Sequence, residues 1–158
     1  MHPLLIATLV AAAATTLPPA AGAQTPQAAD PPRAASPLGR WITESGNLEV
    51  DIAACGDALC GTVTRVLAQR SMAAPGQVMD PADKRPALGM RILSGLRPAG
   101  DDTLGGEIYN RENAKTYSVQ LRMDGPQLLL VRPYIGLAVF GKTQLWHRAT
   151  AAAGEKAP

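Results

Sequence analysis

The sequence is poor in the residues that enzymes most often use for chemistry. Its 158 residues include two histidines and two cysteines, and aromatic side chains make up 4%. It contains neither the Gly-x-Ser-x-Gly elbow of serine hydrolases nor the His-Glu-x-x-His motif of zinc proteases. The carboxylates of Asp80, Asp83 and Asp101-Asp102 lie in loop-like and turn-like segments that favour aspartate. We therefore expect no enzyme, no metal site and no cofactor.

The sequence also lacks a block or stripe of one charge. The net charge is +2, and the basic residues are interspersed with acidic ones. Nucleic-acid binding needs a concentrated basic surface, so we expect no nucleic-acid partner.

Long apolar runs are confined to the N-terminus. Residues 4–17 carry no charge, and Ala21-Gly22-Ala23 form a small-residue cleavage site, as in a secretory signal peptide. The run is shorter than the roughly 20 residues of a membrane-spanning helix. We predict a signal peptide at residues 1–23, a periplasmic or secreted location, and no membrane span after cleavage.

The rest of the chain divides by composition into a tether, one domain and a tail. Residues 24–37 are rich in Pro and Ala and have no apolar period, which is typical of a disordered tether. Residues 38–149 form the predicted folded domain, and residues 150–158 a flexible tail. This length allows one core of modest size.

The two cysteines, Cys55 and Cys60, lie close together in the sequence. After export they are in an oxidising compartment, where a pair tends to form a disulfide. A thioredoxin-like redox role requires two intervening residues instead of four, and a metal site requires more ligands than this segment offers. We predict a structural disulfide that staples a hairpin and contributes about 2 kcal/mol.

Alternation of apolar and polar residues dominates the domain and predicts β-strands. Residues 47–52 read Asn-Leu-Glu-Val-Asp-Ile, and residues 116–122 read Thr-Tyr-Ser-Val-Gln-Leu-Arg. Such runs have one apolar face that packs on a core and one polar face that meets solvent, as in an antiparallel sheet. After an opening strand at Gly39, strands are predicted near 47–54, 60–68, 89–97, 103–110, 115–123, 127–132, 137–140 and 142–148.

The short turns between the strands indicate an all-β fold of about eight strands. Such a meander forms a sandwich or a barrel, and consecutive hairpins favour a closed up-and-down barrel because closure removes the sheet edges. Gly105-Gly106 is predicted to mark a bulge or a close backbone approach. The segment 69–86 has three prolines and no period, so we predict a long loop, such as a lid at a barrel mouth.

Several short motifs in a fixed order resemble a known family. They read Gly-Arg-Trp at 39–41, Leu-Cys-Gly at 59–61, Gly-Gly-Glu-Ile-Tyr-Asn at 105–110, Lys-Thr-Tyr at 115–117, and Gly-Lys-Thr-Gln-Leu-Trp-His-Arg at 141–148. Together they resemble the bacterial family named domain of unknown function 2147 (DUF2147), over about residues 38–148. The resemblance implies a small exported protein with a lipocalin-like barrel and no established activity.

The resemblance also implies a structural pair that closes the barrel. In lipocalin-like barrels a Trp in a Gly-x-Trp motif packs against an Arg from the last strand, which corresponds here to Trp41 and Arg148. A ligand mouth would then lie at the opposite end. The sequence departs from the family in the 79–83 stretch, at Leu88-Gly89, and at Ala114, where the family usually has glycine in a hairpin.

Three tyrosines are the candidates for a ligand-binding wall. Tyr109, Tyr117 and Tyr134 each combine apolar area with a hydroxyl group that could orient a ligand. Tyr117 shares its predicted face with Val119 and Leu121 and should point inward. Plain core packing explains the same residues, because an eight-stranded barrel either fills with side chains or holds one small ligand.

These features support two hypotheses about function. The first is a periplasmic barrel that binds a small apolar or amphipathic molecule, and the second is a ligand-free module that binds another protein of the cell envelope.

The one histidine left after signal cleavage, His147, is predicted to lie on the opposite face from Trp146 as an ordinary sheet residue.

Overall fold

The computed structural model describes residues 35–150, which form eight antiparallel strands. The signal peptide, most of the tether and nearly all of the tail predicted from the sequence lie outside these residues. No helix in this part of the chain is long and apolar enough to cross a membrane. The strands are β1 (Gly39–Ile42), β2 (Leu48–Cys55), β3 (Ala58–Val66), β4 (Arg91–Pro98), β5 (Thr103–Asn110), β6 (Lys115–Met123), β7 (Leu128–Tyr134) and β8 (Gln144–Arg148).

The strands form a closed up-and-down barrel. Each strand pairs with its neighbour in sequence, and β8 pairs with β1 through Trp41 opposite Arg148 and Ile42 opposite His147. Closure gives every strand a partner on both sides and leaves no open sheet edge. The predicted fold class, an all-β up-and-down barrel, is therefore confirmed.

The alternation of the strands places their apolar residues inside the barrel. Val50 and Ile52 of β2 and Val119 and Leu121 of β6 are essentially inaccessible to solvent. The two indole side chains, together with leucines and valines from the other strands, complete this core. Burial of each such side chain contributes about 1.5–3 kcal/mol, so the tight core is the main source of stability.

Glycine permits the barrel wall to close at β4 and β5. A Cβ atom on Gly106 would lie 2.6 Å from the Ser94 carbonyl oxygen, closer than real side chains approach. The pairing of β4 with β5 also shifts register between Ser94 and Arg97. The close approach and bulge predicted from Gly105-Gly106 are thus both present.

The β7–β8 connection differs from the sequence-based prediction, and the long loop between β3 and β4 extends further than predicted. Residues 137–140 were predicted to form a strand, and this prediction is wrong, because Ala138–Phe140 form a 3₁₀ turn. Arg132 donates to the carbonyl oxygens of Ala138 and Val139, which occupies the acceptors that a strand would offer to a neighbour. The predicted long loop spans residues 67–90 and contains one isolated bridge between Arg70 and Val78.

Candidate functional site

One end of the barrel is closed around Trp41. Its ring is fully buried, and its Nε1 donates to the Pro37 carbonyl oxygen at 2.8 Å. The Arg148 guanidinium lies 4.1 Å from the centre of this ring. It also donates hydrogen bonds of 2.7–2.9 Å to the carbonyl oxygens of Pro126, Leu38 and Ser36. Arg148 therefore holds two chain segments over this end of the barrel.

The disulfide lies in the hairpin between β2 and β3. Cys55 and Cys60 are bonded, with their Cα atoms 5.8 Å apart, which is an ordinary separation for a disulfide. The disulfide predicted from the sequence is therefore present. The Asp57 carboxylate in the same hairpin pairs with Arg97 at 2.6 Å, and this pair lowers the pKa of Asp57.

The opposite end of the barrel opens into a cavity of about 690 Å³. Its wall is formed by the rims of the strands, the β1–β2 and β5–β6 turns, the 67–90 loop and the β7–β8 loop. This volume lies within the range of about 300–1,000 Å³ that is common for small-molecule sites. Most of the lining is apolar and includes Leu48, Leu88, Ile92, Ile108, Phe140 and Trp146.

All three tyrosines selected from the sequence line this cavity. Tyr117 pairs with Ile108 across the β5–β6 ladder, in the same alternation as the buried Val119. Tyr109 and Tyr134 occupy the outward alternation of their strands and reach the cavity where those strands end. The wall thus holds one tyrosine on the inward face of its strand and two on the outward face, all near the mouth.

The tyrosine hydroxyls differ in what they bind. The Tyr109 hydroxyl donates to Asp83 at 2.7 Å, and the hydrogen bond together with desolvation raises the pKa of Tyr109. The Tyr117 hydroxyl accepts a hydrogen bond from the Asn113 amide at 2.7 Å. The Tyr134 hydroxyl has no hydrogen-bond partner within residues 35–150, which leaves it available to a ligand.

The 67–90 loop is tied to the barrel mouth at its start by Asn47. This side chain is almost completely buried, donates to the Arg70 carbonyl oxygen at 2.8 Å and accepts from the Arg70 amide at 2.9 Å. The two bonds hold the loop against the β1–β2 turn. Sequence reasoning missed Asn47, because a polar residue in an alternating strand gives no signal of a distant backbone partner.

A second tie joins the loop to the β5–β6 turn through Glu112. Its carboxylate accepts hydrogen bonds from the Ser71 hydroxyl at 2.5 Å and from the amides of Met72 and Ala73. Partial burial acts to raise the pKa of Glu112, but these hydrogen bonds outweigh it and lower the pKa. Glu112 is therefore a charged anchor beside the cavity, and sequence reasoning missed it as well.

A third tie is made by Asp83, which lies in the predicted loop. Its carboxylate pairs with Arg85 at 2.6 Å and accepts the hydroxyl of Tyr109. The hydrogen bonds from Arg85 and Tyr109 hold the pKa of Asp83 far below its usual range. The carboxylate is thus used to hold the loop in place, in keeping with its interpretation as a loop residue.

Comparison with known proteins identifies the family. Residues 39–148 match the profile of a family described as an uncharacterized protein conserved in bacteria, DUF2147. The chain belongs to this family. The match begins at the first residue of β1 and ends at the last residue of β8, so the DUF2147 profile covers the whole barrel. The resemblance noted from the sequence motifs is confirmed.

Outside the DUF2147 family, the similarity of the chain to known proteins is limited. No curated protein matches the chain. Among solved structures, the chain is similar to protein HP1028 from the human pathogen Helicobacter pylori, described as belonging to the lipocalin family. The identity is 20%, the TM-score is 0.48, and the match covers 65% of this chain and 73% of that chain.

Proposed function

We propose that this protein is an exported barrel that binds one small apolar or amphipathic molecule in its mouth cavity. The observation that supports the proposal is the cavity itself, which is open at one end, mostly apolar and closed below by a packed core. A barrel of eight strands has room for one such ligand when side chains fill only part of its interior.

The hydroxyls at the cavity wall favour an amphipathic ligand over a purely apolar one. The Tyr134 hydroxyl has no partner among the described residues 35–150, and Gln144 and Lys142 also line the mouth. A ligand with an apolar body could rest against Ile92, Ile108 and Trp146 while its polar group meets these side chains.

Export is supported by the signal-like N-terminus and by the disulfide. A disulfide between Cys55 and Cys60 persists in the periplasm or outside the cell, whereas the cytoplasm keeps thiols reduced. We therefore assign the mature protein to an extracytoplasmic compartment.

Binding is a better assignment than catalysis because the reactive groups are either bonded to other residues or exposed away from the cavity. Both cysteine sulfurs are bonded to each other, and His147 is exposed on the outer face of β8 beside the buried Trp146. Near the cavity, the carboxylates of Asp83 and Glu112 are used to hold the 67–90 loop. None of these groups is arranged as a nucleophile with an adjacent base.

The first experiment is native mass spectrometry of the mature protein, purified from the periplasm without detergent. We expect a mass above that of the polypeptide, with the excess lost on denaturation and identified by extraction of the released molecule. The polypeptide mass would also report signal cleavage and the two hydrogens lost on disulfide formation. A bare protein that also fails to bind N-phenyl-1-naphthylamine, an apolar fluorescent probe, would exclude the proposal.

A pair of variants in the 67–90 loop tests the position of the site. Ala87 lines the cavity, whereas Ala82 is exposed on the same loop and does not line it. Ala87→Trp should weaken probe binding about tenfold or more because the indole occupies ligand space, and Ala82→Trp should leave binding unchanged. Equal probe affinities for the two variants would place the site elsewhere.

A further inference from the structure

The loop between β7 and β8 exposes an unusual amount of apolar surface. Ile135, Leu137, Val139 and Phe140 are 65–80% exposed within six consecutive residues. Single exposed apolar side chains are normal on soluble proteins, but a contiguous group marks a surface that contacts something. We call these four residues the rim patch.

The rim patch lies at the mouth of the cavity. Ile135 and Phe140 line the cavity and are also exposed to solvent, whereas Leu137 and Val139 are exposed and do not line it. On the 67–90 loop, Leu88 also lines the mouth while remaining largely exposed. The open end of the barrel is therefore its apolar end.

The backbone of the rim patch is satisfied from within. The Arg132 guanidinium donates to the carbonyl oxygens of Ala138 at 2.6 Å and Val139 at 2.9 Å, and to the Thr143 hydroxyl at 2.8 Å. Unsatisfied carbonyl groups are costly in an apolar medium. The loop can therefore enter such a medium while these two carbonyl groups stay hydrogen-bonded. The same bonds from Arg132 hold the backbone of the rim patch in place.

The charge around the rim patch is positive. Residues 131–145, which include the rim patch, contain Arg132 and Lys142 but no aspartate or glutamate. Lys142 is exposed two positions after Phe140 and lines the mouth. On the neighbouring β1–β2 turn the acidic residue is Glu44, and Glu112 on the β5–β6 turn is engaged with the 67–90 loop.

We propose that the rim patch docks the barrel mouth on a lipid bilayer with anionic headgroups. The side chains of Leu137 and Val139 enter the boundary between headgroups and acyl chains, and Lys142 meets the lipid phosphates. This orientation turns the cavity toward the membrane, so an amphipathic molecule can pass between bilayer and barrel without crossing water. The rim patch shares Ile135 and Phe140 with the cavity wall, but docking through Leu137 and Val139 requires no bound ligand.

The test is flotation of the purified mature protein with two kinds of vesicle. We expect binding to vesicles that contain phosphatidylglycerol, with weaker binding to pure phosphatidylcholine vesicles and weakening by salt. The double variant L137S/V139S should bind the anionic vesicles roughly tenfold less or worse, because both apolar contacts are lost. Leu38→Ser, which removes a half-exposed apolar side chain at the closed end, is the matched control and should bind like the native protein.

Two results would overturn the proposal. One is failure of the native protein to float with anionic vesicles, which would turn attention to a protein partner for the rim patch. The other is binding that L137S/V139S retains in full. Because neither residue lines the cavity, this variant should keep its affinity for N-phenyl-1-naphthylamine, so loss of docking is distinguished from loss of ligand binding.

Discussion

Replacement of Arg148 by alanine should destabilise the barrel by about 2–5 kcal/mol. The guanidinium packs over the Trp41 ring at 4.1 Å, a contact that contributes about 0.5–2 kcal/mol. It also donates three hydrogen bonds to carbonyl oxygens, each contributing about 0.5–1 kcal/mol near the surface. The loss is a large part of the 5–15 kcal/mol by which a domain is typically stable.

The assay is urea denaturation of Arg148→Ala followed by circular dichroism, with thermal melting as a second measurement. We expect the melting temperature to fall by roughly 8–20 °C. Arg148→Lys keeps the positive charge but cannot make all three hydrogen bonds, so its loss should be intermediate. Arg122→Ala is the control, since Arg122 is exposed and makes no hydrogen bond or ion pair within the described residues. Similar stabilities for the Arg148 and Arg122 alanine variants would refute the closing role.

Three other perturbations follow from the structure. Ala114→Gly should stabilise the protein by about 0.5–1 kcal/mol in urea, because Ala114 has a φ of +55° that glycine adopts without strain; a lower midpoint would contradict this. Replacing both Cys55 and Cys60 by serine should cost about 2 kcal/mol relative to the oxidised protein, and an unchanged midpoint would show that the bond adds nothing. The pKa of Glu112 is lowered on folding, so the stability it contributes is present above its unfolded pKa and is lost as the pH falls through the folded value. Amide protection in the 67–90 loop, measured by hydrogen exchange and corrected for the intrinsic exchange rate at each pH, should therefore fall on acidification, and Glu112→Gln should largely abolish this fall.

The strands could be predicted from the sequence because their signal is local. Alternation in 47–52 and 116–122 reports which residues face the core, and the observed strands from β2 to β8 begin and end within two residues of the predicted ones. The β7–β8 loop was predicted wrongly at 137–140. Its apolar residues resemble a strand, and the hydrogen bonds from Arg132 that bend it into a 3₁₀ turn arise only in the folded barrel.

The candidate site was only partly predictable. Inward pointing of Tyr117 follows from alternation, but Tyr109 and Tyr134 reach the cavity because their strands end at the mouth, and strand ends are the least certain feature of a sequence pattern. Asn47 and Glu112 gave no signal at all. Their partners lie in the 67–90 loop, far along the chain, and are backbone groups or a serine hydroxyl that no motif specifies.

By itself the sequence determined the class of fold, the order of the strands, the disulfide pair and the family, because each depends on short-range pattern or motif order. Only the tertiary structure decided that the barrel is hollow at one end, that the 67–90 loop is tied down beside the opening, and that the apolar rim patch sits at the same end. These depend on how side chains from eight strands share one interior volume, and on which loops meet at one end after closure.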